Sequence, residues 1–251
     1  MTSTTAMLLA SGDEMSFIQI IIYGLILGLV ITTFRWLRRR RNAPRFQALA
    51  ERYGGTYAPK AQARAERFAG VEWATEPRSP DVHDYLCGNY QGHPFYCFGW
   101  EYSTRGAMGD GESGGVRVVR SVYTVQLPCY VGYFSVRKHS SARRMFGQND
   151  VQVGHPEFDE QFTVNGHEPV AAQQVLRGSL LEFLLNDSRS KDYPLWFLGD
   201  RLLCSFTDRL SPPDVEPALE FMAQVVGALD RTETPAEGRS VLEEDVVPLS
   251  G

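Results

Sequence analysis

The chain has 251 residues, 43% of them hydrophobic, enough for one full domain or two small ones with a sizeable core. Its formal net charge of −5 conceals an asymmetry. Residues 1–41 carry five Arg against Asp13 and Glu14, which leaves 20 basic and 28 acidic residues beyond them, a balance of −8. So acidic a domain lacks the basic footprint that nucleic-acid binding needs.

Residues 1–14 show no periodicity and are expected to be disordered, with Met15 a possible second start. From Phe17 to Phe34 the chain reads FIQIIIYGLILGLVITTF, without a charge. At 1.5 Å per residue these positions span roughly 27 Å, near the hydrocarbon thickness of a bilayer. The expectation is a single transmembrane helix over 15–37. Arg35, Trp36, Arg38, Arg39, Arg40 and Arg41 would then sit at the lipid interface, with the bilayer itself as a partner. The Arg cluster reads as a stop-transfer signal, not as the end of a cleaved signal peptide. By the positive-inside bias, the N-terminus lies outside a cell membrane and the remainder is cytoplasmic.

Residues 38–55 read as a basic juxtamembrane segment and an amphipathic helix. Asn42-Ala43-Pro44 breaks from the preceding run. Phe46, Leu49, Ala50 and Tyr53 recur at helical spacing, and Gly54-Gly55 closes the helix. A globular domain follows over 56–230. VHDYLCGNY and HPFYCFGWEY are strand-like runs joined by Gln91-Gly92, a tight hairpin signal. If Tyr90 pairs with His93, then Tyr96, Phe98, Trp100 and Tyr102 share a face. That face is core in the ordinary case and a partner surface in the sharper one.

Residues 104–115 contain five Gly, but a strand follows instead of a helix, so a phosphate-cradling loop is excluded and a strand connection is expected. VRVVRSVYTVQL and YVGYFSV continue the strands. EFDEQFTV alternates, with Phe158, Phe162 and Val164 on one side. Pro169 opens a short helix, Gly178 ends it, and SLLEFLLN is a second. PLWFL and RLLCSF flank Gly199-Asp200, another hairpin signal. A closing helix starts at Asp214 as N-cap and carries Val215, Leu219, Met222, Val225, Val226 and Leu229. Residues 231–251 read as an acidic disordered tail. The order describes an α+β fold: the N-terminal transmembrane helix, a mostly antiparallel sheet with short helices, and a C-terminal helix.

For chemistry, His155, Glu157 and Asp159 would share one side of a strand. With His167 they are the candidate ligands of a metal site. Pro156 disturbs that strand, and no second pair stands at zinc or iron spacing. The four Cys form no C-x-x-C, and a Cys87–Cys97 bridge is opposed by the hairpin register, which puts them on opposite faces. Gly111-Glu112-Ser113-Gly114-Gly115 has the G-x-S-x-G spacing, but a strand follows it where a nucleophile elbow needs a helix, so serine gives no such elbow. No catalytic residue and no cofactor is therefore assigned.

The element Gly154-x-x-x-Phe158-Asp159-x-x-Phe162, followed by two short helices and the WFLGDRLL hairpin, resembles a family of bacterial single-pass membrane-anchored proteins with a cytoplasmic α+β domain. The resemblance spans residues 82–230. It implies an anchor and a fold and brings no activity with it. The functional expectation is a membrane-tethered, non-catalytic domain binding a protein partner or ligand. The alternative is a metal-assisted hydrolase using His155, Glu157, Asp159 or His167.

Overall fold

The computed structural model describes residues 11–63, 68, 71, 80–104, 116–139, 151–166, 168–229 and 246–248. The chain divides into two units, Met1–Arg45 and Phe46–Gly251. Helix α1 runs from Ser11 to Arg52, with Pro44 inside it. The expected break at Asn42-Ala43-Pro44 does not occur. Proline removes one N–H donor, and the Arg, Leu, Ala and Gln residues around it are good helix formers.

In the first unit, Ile20 to Ile31 are exposed. Among the described residues, no helix is long and apolar enough to cross a membrane. This overturns the transmembrane helix expected over 15–37. The membrane reading drawn from it is corrected accordingly. Of the proposed interface residues, Arg41 is exposed, and the side chains of Arg35, Trp36, Arg38, Arg39 and Arg40 lie outside the described ones.

The second unit begins with the last turns of α1, where Phe46 and Ala50 are buried one turn apart. The helix ends as its Gly pair predicts. Gly54 adopts φ +63. Its N–H bonds to the Glu51 carbonyl at 3.3 Å, and the Gly55 N–H bonds to the Ala50 carbonyl at 2.8 Å. That is a Schellman closure. A Cβ on Gly55 would lie 1.8 Å from the Cys87 carbonyl oxygen, so only glycine lets the chain pass there.

The strands are β1 (Thr56–Ala63), β2 (Asp81–Tyr90), β3 (His93–Thr104), β4 (Val116–Gln126), β5 (Tyr133–Lys138), β6 (Phe162–Gly166), β7 (Leu195–Leu198), β8 (Arg201–Phe206) and β9 (Val246–Pro248). They form one sheet in the order β6-β5-β7-β8-β4-β3-β2-β1-β9. The paired strands run antiparallel. The β2–β3 hairpin has the expected register, with Tyr90 opposite His93 and Cys87 opposite Tyr96. Its turn has φ +52 at Gln91 and +88 at Gly92, the two left-handed residues of a type I′ turn. The β7–β8 hairpin turns at Gly199, φ +70. β9 falls in the tail expected to be disordered, where it adds an edge to β1.

Among the described residues, four α-helices follow the early strands: α2 (Pro156–Gln161), α3 (Pro169–Val175), α4 (Gly178–Asn186) and α5 (Pro212–Ala228). α5 begins at Pro212 with Ser211 as N-cap, three residues before the expected N-cap at Asp214. Its stripe of Val215, Leu219, Met222, Val225 and Val226 is buried as its 3.6-residue spacing requires. These side chains, with Leu180 and Leu184 of α4 and Phe158 of α2, cover one sheet face at Leu86, Phe95, Tyr123, Phe197 and Leu202. A second core lies on the other face, around Tyr96, Phe98, Trp100 and Trp196.

The alternation over EFDEQFTV is resolved differently from the expectation. Pro156–Gln161 is helical, and the strand starts only at Phe162. Phe158 and Phe162 are nevertheless both buried and stack at 4.8 Å between ring centroids. The Gly-rich segment 105–115 lies outside the described residues.

Candidate functional site

The aromatic face of β3 is interior. Tyr96, Phe98 and Trp100 are fully buried, with neighbouring centroids 6.0 Å apart. Phe68 meets Phe98 at 5.8 Å and Trp100 at 5.5 Å, both edge-on. Tyr102 is half-buried beside them. These four residues therefore present no exposed patch.

The polar group around α2 is committed to the backbone. Asp159 accepts from the N–H groups of Val153 (2.9 Å) and Gly154 (3.1 Å). His155 is the N-cap of α2, and its Nδ1 accepts from the Phe158 N–H at 3.4 Å, a long bond. Glu157 accepts from Gln161 at 3.3 Å on the exposed side. His167 lies outside the described residues. Among the described residues, no group of three or more His, Cys, Asp or Glu is placed to hold a metal ion. The short helix breaks the strand geometry that would have aligned His155, Glu157 and Asp159.

Cys97 and Cys204 are buried, and burial pushes both thiols well up, away from the thiolate that nucleophilic chemistry needs. Cys87 and Cys129 are also free thiols.

A buried polar cluster spans β2, β3 and β4. His83, Gly99 and Ser121 lie in one row across the three strands. The His83 ring fills the place of a side chain at Gly99, where a Cβ would come within 2.5 Å of its Cε1. Ser121 Oγ donates to Asp208 at 2.7 Å. Glu101, also buried, pairs with Arg117 and, at 3.6 Å, with Arg209. Glu101 thus has opposite charges beside it, which is what a buried carboxylate requires for stability. Sequence reasoning missed this cluster, because its members meet only through register.

Exposed apolar surface gathers elsewhere. Beyond α1, the large hydrophobic residues exposed among the described ones are Tyr130 (56%), Tyr133 (39%) and Val170 (65%). The loop after β4 is tied to the β7–β8 turn by main-chain bonds. Val131 N–H reaches the Gly199 carbonyl at 2.8 Å, Gly199 N–H reaches Gly132 at 2.9 Å, and Leu127 N–H reaches Asp200 at 2.8 Å. Gly132, φ +85, lets α3 close in: a Cβ there would meet Ala171 Cβ and Glu168 Oε2, each at 2.8 Å. Tyr130 and Tyr133 stand edge to face, centroids 6.1 Å apart, and a Cβ on Gly199 would meet Tyr130 Cε2 at 3.2 Å and the Tyr133 hydroxyl at 3.4 Å.

Partial burial and the nearby Glu168 carboxylate raise the Tyr130 hydroxyl above its ordinary value, so it stays protonated and able to donate. Two rigid rings with polar tips, one aliphatic side chain and one carboxylate make a surface suited to recognition. The signal available in the sequence was Tyr130-Val-Gly-Tyr133, which reads as a strand start.

No protein-family model matches the chain, and no curated protein matches it. One solved structure is similar. It is the crystal structure of the mycobacterial trehalose monomycolate transport factor A, TtfA, at TM-score 0.51 and 13% sequence identity. The match covers 78% of this chain and 97% of that one. At that identity the likeness is one of fold.

Proposed function

We propose that the unit from Phe46 onward is a non-catalytic docking domain that binds a protein partner through Tyr130, Tyr133 and Val170. The observation that carries this reading is the exposed pair Tyr130 and Tyr133 on a backbone held by three main-chain bonds, with α3, which carries the exposed Val170, closing in at Gly132. Scattered exposed apolar residues are ordinary, whereas a grouped and rigid set marks a contact surface. Rigid aromatic anchors also lose little side-chain entropy on binding. The fold likeness to a transport factor supports an accessory binding role over a catalytic one. The metal-assisted hydrolase has less support, because Asp159 and His155 already serve backbone N–H groups.

Site-specific photo-crosslinking of the full chain in its own cells tests the reading. A photoreactive residue at Val170 should give one discrete protein adduct, and one at exposed Glu182 of α4 should give none. Equal labelling from both positions would remove the patch as a docking surface.

A further inference from the structure

Glu168 stands beside the two exposed tyrosines with its charge unused. It is the N-cap residue of α3, yet its side chain makes no cap hydrogen bond. Its Oε2 lies instead against Gly132, where an added Cβ would meet it at 2.8 Å. From there its charge reaches the Tyr130 hydroxyl. Glu168 is exposed, and no Lys, Arg or His among the described residues forms an ion pair with it. The carboxylate of the β7–β8 turn differs: Asp200 has the Arg201 guanidinium at 3.5 Å.

Given the protein partner proposed above for Tyr130 and Tyr133, we infer that it docks with an arginine side chain, which pairs with Glu168 and lies against the two rings. A surface that covers the rings also takes water from the carboxylate beside them. A carboxylate that loses water without a counter-charge is strongly disfavoured, so the partner has to bring the cation. An acidic or wholly apolar partner is disfavoured on the same ground. Aromatic ring faces attract a cation as well. The two rings are exposed and set at 72° to each other, so they offer walls in two directions. A guanidinium suits this mixed site better than an ammonium group. It is flat and weakly hydrated, stacks on a ring, and forks two N–H donors to a carboxylate. At longer range the chain beyond Arg41, with 20 basic residues against 28 acidic ones, favours the approach of a basic segment.

The test follows the Tyr130 and Tyr133 ring signals of the full chain by NMR during titration with N-acetylarginine amide. Both should shift and saturate. N-acetylcitrulline amide, of the same shape but neutral, should need a concentration at least about tenfold higher. Glu168→Gln, at an exposed side chain without a cap bond, should leave the fold intact and weaken the arginine response about fivefold. It should lower the yield of the Val170 photo-adduct by a similar factor. Ring signals indifferent to the arginine amide, or equally responsive to the citrulline amide, would overturn the arginine and leave the docking surface standing. A Val170 adduct undiminished by Glu168→Gln would do the same. Absence of any adduct at Val170 would overturn the docking surface and the arginine with it.

Discussion

Phe158 and Asp159 show how neighbouring side chains divide their labour. Phe158 fills the core against Phe162, while Asp159 holds two N–H groups of the turn before α2. Phe158→Ala should cost about 3–5 kcal/mol in a denaturant melt, the usual loss for emptying an aromatic core site. His155 caps α2 through a long bond, at a position where Asp or Asn is the better acceptor. His155→Asp should therefore stabilise the protein by about 0.5 kcal/mol, since it adds a stronger acceptor and a charge at the N-terminus of a helix. A loss of stability would show that the ring does something other than capping.

Asp187 offers a pH test. Hydrogen bonds from Arg189 hold its carboxyl below the usual carboxylate range. The folded value lies below the unfolded one. The contribution is thus present above the ordinary carboxylate range and lost as pH falls through the lowered value. Asp187→Asn should flatten the acid side of the stability curve, read from melts at several pH values.

The burial of Phe158 and Phe162 was legible in the sequence, but the element that buries Phe158 was not. A separation of four residues keeps two side chains on one face of a strand and nearly on one face of a helix. Pro156 at the first helical turn, after an N-cap at His155, decides for the helix.

At the scale of elements, local chemistry is the most legible. The Gln91-Gly92 and Gly199-Asp200 hairpins and the end of α1 at Gly54-Gly55 follow from turn residues alone. Features set by distant partners were not. The left-handed Asp84, φ +54, sits at a register shift in β2 and accepts from the Tyr57 hydroxyl at 2.8 Å. The aromatic face of β3 is closed by Phe68 and Val71, from a segment whose Ala-, Arg- and Pro-rich sequence gives no period. The apolar run was legible as a helix, but among the described residues α1 is not long and apolar enough to cross a membrane.

Gly55 gives a sharp element-scale prediction. Its hydrogen points at the Cys87 carbonyl, and backbone cannot turn aside as a flexible side chain does. Gly55→Ala should therefore cost about 3 kcal/mol or more and loosen the last turn of α1. Gly92→Ala, in open space but at φ +88, should cost only about 1 kcal/mol. Equal melting points for the two variants would contradict the close approach.

At the scale of the whole molecule, the sheet carries two cores and, among the described residues beyond α1, few large apolar side chains are exposed. Those of the second unit gather where the β4–β5 loop, the β7–β8 turn and the start of α3 meet. Three segments so far apart in sequence have no shared period, which is why sequence reading found Tyr96 to Tyr102 instead. An aromatic run is visible in a sequence whether it faces the core or the solvent, and only the register and the covering Phe68 decide.

The docking claim is tested most directly by a Tyr130→Ser/Tyr133→Ser variant of the full chain carrying the photoreactive residue at Val170. The account predicts a loss of stability of no more than about 1 kcal/mol, since neither ring belongs to the buried core. It also predicts loss of most of the adduct seen with the two tyrosines in place. Undiminished crosslinking in a folded variant would contradict it.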